Sequence, residues 1–107
     1  MKLIIAIINR DDANAVTQNL TRNGFDSTRL STTGGFLLAS NITLLIGVKD
    51  DQVQRVIDLI REQSHSRRQM VPAITEMSYG FMPVMPVEVT VGGATIFVVD
   101  VERFERV

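Results

Sequence analysis

The sequence predicts a single α+β domain in which one sheet carries two helices. Three observations lead there. The elements run strand, helix, strand, strand, helix, then a hairpin after a long irregular stretch. Two strands are apolar on both faces, and two segments carry one apolar stripe each at helical spacing. That order matches the split β-α-β unit of ferredoxin-like folds, a βαββαβ sandwich with an extra C-terminal hairpin strand. At 107 residues the chain has the length of one domain.

Residues 3–8 form a continuous branched apolar run, as in a strand buried on both faces. Asp11 or Asp12 is placed to cap a helix on which Ala13, Val16 and Leu20 form the inward stripe. Gly24 follows, where a left-handed residue commonly ends a helix. Residues 25–33 alternate as a half-buried strand, Gly34-Gly35 breaks it, and residues 36–39 form a short extended piece. Residues 42–48 are a second two-faced apolar strand. Asp50 and Asp51 then cap a helix striped by Val53, Val56, Ile57 and Ile60.

Residues 64–86 keep no period, hold all three prolines and four of the five methionines, and read as one long flexible loop within the 1–107 domain. Residues 87–91 and 94–101 alternate on either side of Gly92-Gly93, the pattern of a two-residue hairpin. Phe104 and Val107 are expected to fold back onto the body.

Composition removes several chemistries. There is no Cys, which excludes disulfides, thiolate metal sites and cysteine nucleophiles, and a lone His excludes a multi-histidine metal site. A net charge of −1 supplies no basic excess for DNA, RNA or a membrane surface. No apolar run reaches the length of a membrane span, and residues 1–8 meet Asn9-Arg10-Asp11-Asp12 too early for a secretory signal, so the expected compartment is the cytoplasm. His65 has no orienting partner in view, and Arg67-Arg68 reads as a solvated helix end. No catalytic residue is assigned.

The apolar content of 45% is the remaining question. Leu3, Ile5 and Ile7 oppose Ile4, Ala6 and Ile8, and Phe97 and Val99 oppose Ile96 and Val98. Two helices cover one face, so the other needs the 64–86 loop or another subunit. Among the polar motifs, Thr32-Thr33-Gly34-Gly35-Phe36 reads as an inter-strand turn or an anion-binding nest. Asn41 reads as a turn residue or an amide for an adenine edge, and Phe36 and Phe97 as packing or as stacking platforms.

Taken as an ordered set, MKLIIAI, STTGGFL at 31–37, N-x-T-L-L-I-G-V at 41–48 and PVEVTVGGATIFVVDVERF at 86–104 resemble the PII-like cyclic di-AMP receptor proteins over nearly the whole chain. The resemblance implies a homotrimer whose sheets face the trimer axis, with one cyclic di-AMP in each inter-subunit cleft. It implies a cytoplasmic signal receptor that needs no cofactor or metal, is not an enzyme, and relays loop rearrangement to an unidentified protein partner. ATP or ADP in a PII-type trimer is the second reading, and a non-catalytic oligomerisation module the third. Residue by residue, the resemblance puts Ser27, Thr28 and Asn41 at polar ligand contacts and Gly47 at a close backbone approach. It puts Gly35, Phe36 and Leu37 along the cleft and Phe97 near the second adenine. Asp26 and Leu38 stand where the family usually has Arg, and Gly24 where a polar residue is common.

Overall fold

The computed structural model describes residues 1–30, 41–72 and 86–107. Its elements are β1 (Lys2–Asn9), α1 (Arg10–Arg22), β2 (Thr28–Leu30), β3 (Asn41–Val48), a 3-10 turn (Asp50–Gln52) and α2 (Val53–Ser64). β4 (Arg67–Pro72), β5 (Pro86–Val91) and β6 (Ala94–Asp100) complete the elements of the described residues. The main sheet is antiparallel in the order β2-β3-β1-β6. This is an α+β architecture consistent with a ferredoxin-like fold.

The core lies between this sheet and the two helices. Ile4, Ala6 and Ile8 of β1 and Ile42, Leu44, Ile46 and Val48 of β3 meet Ala13, Val16 and Leu20 of α1. α2 contributes Val56, Leu59 and Ile60, so Leu59 joins the stripe read from the sequence. Burying each large side chain contributes roughly 1.5–3 kcal/mol. The helices are also tied by a polar bolt: buried Asn19 donates from Nδ2 to the Leu59 carbonyl and to Glu62 Oε2, both at 2.9 Å.

The helix ends differ from expectation. Asn9, not Asp11 or Asp12, caps α1, its side chain accepting from the Asp11 N–H at 2.8 Å. The amide one residue before the helix reaches that orphan donor first. At the other end, the Phe25 N–H bonds to the Leu20 carbonyl around Gly24, whose φ is +86°. Neither Asp50 nor Asp51 caps the 3-10 turn, whose preceding Lys49 makes no side-chain cap bond. Asp50 instead pairs with the α-amino group of Met1 at 2.9 Å, and that hydrogen bond holds its carboxyl below the usual carboxylate range.

The larger correction concerns the second half. Residues 87–91 and 94–101 do not form a hairpin. β5 pairs with β4 in a separate two-stranded ribbon, from Arg67↔Val91 to Pro72↔Pro86, whereas β6 pairs with β1 as the fourth strand of the main sheet. The extra strands therefore precede the last body strand. Part of the expected 64–86 loop is strand: Arg67 and Arg68 lie in β4, not at a helix end. Residues 73–85 of that loop, the 32–36 turn and the 36–39 extended piece lie outside the described residues.

Gly92 and Gly93 join the two sheets with φ of +79° and +81°. The junction is tight: a Cβ on Gly92 would stand 2.5 Å from Arg67 Nη1 and 2.9 Å from the His65 carbonyl. Arg67 grips the nearly buried Asp12 carboxylate with both terminal nitrogens, at 3.2 and 3.5 Å. This bidentate pair fastens the ribbon base to the start of α1. Past β6, Val101 donates to the Met1 carbonyl at 3.2 Å, but Phe104 and Val107 do not fold back and remain exposed.

Two substitutions test this frame by chemical denaturation. Gly92→Ala is expected to cost about 1–3 kcal/mol, from the positive φ together with the crowding at Arg67 and His65. Asn19→Ala is expected to lose about 1–3 kcal/mol by leaving buried acceptors unmatched. An unchanged midpoint for either variant would contradict the corresponding contact.

Candidate functional site

Strand register sorts the side chains into two faces, because directly opposed residues of antiparallel strands point the same way. The helix-covered face takes the residues already named. The other carries Leu3, Ile5, Ile7 and Asn9 of β1, with Asn41, Thr43, Leu45 and Gly47 of β3. Thr28 and Leu30 of β2 extend it on one side, and Thr95, Phe97 and Val99 of β6 on the other. Leu3, Ile5, Ile7 and Leu45 are half-buried, whereas Leu30, Phe97 and Val99 are 42%, 52% and 42% exposed. An apolar face with no covering layer among the described residues is thus present, as the alternation requires.

Four of the eight site residues read from the sequence lie on this face. Thr28, Leu45, Ile5 and Phe97 form one row across all four strands. Thr28 and Phe97 stand at opposite edges of that row, three strand spacings or about 14 Å apart. Gly47 shares a row with Leu3 and Val99, and Asn41 closes the face beside Asn9. Ser27 is half-buried just before β2. Gly35, Phe36 and Leu37 lie outside the described residues.

Asn41 opens onto a cavity of about 470 Å³ whose lining also includes Ile7, Asn9, Thr90, the Gly92-Gly93 junction and Thr95. Asn9, Thr90 and Thr95 were not singled out in the sequence. A two-residue hairpin would also set Thr90 against Thr95; what the switch from ribbon to main sheet adds is Ile7, Asn9 and Asn41 on the same wall. Asn9 and Thr43 were findable, because they share the parity that puts Asn41 and Gly47 on the open side.

Gly47 is informative for what surrounds it. A Cβ there would meet nothing within 4 Å, and its φ is not in the left-handed region. Among the described residues, neither backbone conformation nor packing calls for glycine. A bare position of this kind suits a body that rests on the sheet.

A second cavity, about 520 Å³, lies on the helix side between α2 and β6, with Ile57, Ile96, Arg61 and His65 in its wall. His65 is exposed, as expected. No group of three or more His, Asp or Glu able to hold a metal is found among the described residues. No described helix is long and apolar enough to cross a membrane.

The described strand positions of the open face are uncharged, and amides and hydroxyls edge it. The chain belongs to the Cyclic-di-AMP receptor family, which it matches over residues 1–107. It is also similar to a functionally unknown protein from Pediococcus pentosaceus ATCC 25745, known from its crystal structure. The two are 38% identical, with 99% of this chain and 96% of that chain covered and a TM-score of 0.75. Family membership supports cyclic di-AMP as the ligand and a receptor's role over a catalyst's.

Gly47→Ala is expected to leave stability within about 0.5 kcal/mol of wild type, since the added methyl meets open space. A large loss in thermal unfolding would show that the position is already filled within the chain.

Proposed function

We propose that the protein is a cytoplasmic receptor that binds cyclic di-AMP in clefts between the subunits of a PII-like homotrimer and passes the signal to a protein partner. The observation that carries this is the coincidence of a whole-length family match with an open sheet face bearing Thr28, Asn41, Gly47 and Phe97. Burial of that face against other copies would remove the exposed Phe97, Val99 and Leu30 from water. The spread between Thr28 and Phe97 favours a cleft shared by subunits over one compact pocket in a single chain. In it, Thr28 and Asn41 supply hydrogen bonds to an adenine, with Ser27 beside them. Gly47 allows close approach, and Phe97 offers a ring for the second adenine. Gly35, Phe36 and Leu37 complete the wall in this reading. The chain's own groups bind and orient the ligand and carry out no reaction.

In this reading the signal passes because cyclic di-AMP binds one arrangement of the protein better than another, and the downstream partner reads the difference.

The second reading, a trimer sensing ATP or ADP, is disfavoured by charge. A nucleoside triphosphate brings more negative charge per base than a cyclic dinucleotide, and no strand position on the open face is cationic.

Calorimetric titration with cyclic di-AMP, with ATP and cyclic di-GMP as controls, tests the proposal, and native mass spectrometry reads the subunit count. Cyclic di-AMP is expected to bind one per subunit in a trimer. Asn41→Ala is expected to weaken binding about ten-fold and leave the trimer intact. Absence of heat at high micromolar cyclic di-AMP would overturn the ligand, and a monomer with bound ligand would overturn the shared cleft.

A further inference from the structure

The open face has no cation of its own. Its strand positions are all uncharged, and residues 31–40 and 73–85 contain neither Lys nor Arg. Arg29, the charged residue of β2, stands opposite Leu44 on the covered face and donates to Asn14 of α1 at 3.1 Å. Arg67 is committed to Asp12. A phosphodiester lying on this face therefore meets only uncharged donors unless a cation reaches in from the rim.

Register identifies such a cation. Arg68 of β4 stands directly opposite Thr90 of β5, and Thr90 lines the cavity that Asn41 and Asn9 close. Opposed residues project from the same side of a ribbon with Cβ atoms about 4.5–5.5 Å apart, within easy reach of an arginine side chain. The partner Arg68 holds is Glu88, 3.6 Å away, with both side chains more than half exposed. An ion pair that open and that long is weak, whereas a phosphate oxygen pair matches the planar guanidinium fork. Arg10, next after Asn9 in sequence, is already engaged.

We infer that Arg68 is the phosphate-binding cation of this site and exchanges Glu88 for a ligand phosphodiester on binding. The inference rests on the cyclic di-AMP reading and adds a residue from the ribbon to a site otherwise built on the main sheet. It makes the β4–β5 ribbon a direct sensor of occupancy. Ligand bound beside Asn41 pulls on Arg68, while the Arg67–Asp12 pair one residue away keeps the ribbon base anchored.

Titration of cyclic di-AMP into the full chain at low and high salt tests this, with Arg68→Gln, Glu88→Gln and Arg10→Gln compared with wild type. Arg68→Gln is expected to weaken binding about ten-fold at low salt and to flatten the salt dependence, because an exposed charge contact is screened. Glu88→Gln is expected to tighten binding a few-fold by freeing the guanidinium, and Arg68→Lys to recover part of the loss. Arg68 is exposed, so these variants fold. Wild-type affinity and salt response in Arg68→Gln overturn the inference, as does a loss confined to Arg10→Gln. If wild type binds no cyclic di-AMP, the ligand reading fails and takes the inference with it. Binding with an indifferent Arg68 defeats the inference alone.

Discussion

The pleat of β1 and β3 governs this molecule. Both strands are apolar at nearly every position, so alternation sends oily side chains to both sides of the sheet, and the described residues supply two helices to lay over it. Ile4, Ala6, Ile8, Ile42, Leu44 and Ile46 vanish beneath α1 and α2 at 0–1% exposure. Their neighbours Leu3, Ile5, Ile7 and Leu45 remain half-buried on the other side. A one-residue slip in register would exchange these sets and place Asn41 and Thr43 in the core, so the buried face also locks the position of every polar group on the open one.

The second organising feature is the change of sheet at Gly92-Gly93. β5 belongs to the ribbon and β6 to the body, and two consecutive positive φ angles let the chain turn from one to the other. Glycine is required at Gly92 on steric grounds as well, since the Arg67 guanidinium and the His65 carbonyl occupy the space of a side chain. The arginine is there because Asp12, near the head of α1, needs a counter-charge at 9% side-chain exposure. Helix start, ribbon base and glycine pair form one joint. The cavity beside Asn41 opens at that joint, which explains how residues far apart in sequence, such as Asn9 and Thr90, come to share a wall.

Much of the fold was legible from periodicity. The stripes Ala13-Val16-Leu20 and Val56-Ile60 face the core, and Gly24 ends α1 with the φ that its position suggested. Caps were misassigned because Asn9, Asp11 and Asp12 are all competent acceptors, and only the backbone geometry selects among them. The hairpin reading failed for a related reason. Two alternating strands around a Gly-Gly pair satisfy every local rule for pairing with each other, yet β6 pairs with β1 and packs a partly buried Ile96 against the core. The expected return of Phe104 and Val107 likewise rested on hydrophobicity, which says that a side chain seeks cover without saying where cover is.

For the candidate site, the division is similar. The sequence by itself determined the two-faced strands and the uncharged character of residues 41–48. Alternation and composition are local properties, and a linear reading captures them. Tertiary structure alone decided that Thr28 and Phe97 share a row yet stand at its opposite edges, and that Arg29 belongs to the covered face. It also divided Arg67 from Arg68, adjacent in sequence, giving the first to Asp12 and the second to the side of the ribbon that carries Thr90. Those assignments depend on which strand pairs with which. Strand pairing is settled by the burial of whole faces, a balance struck between segments distant in sequence.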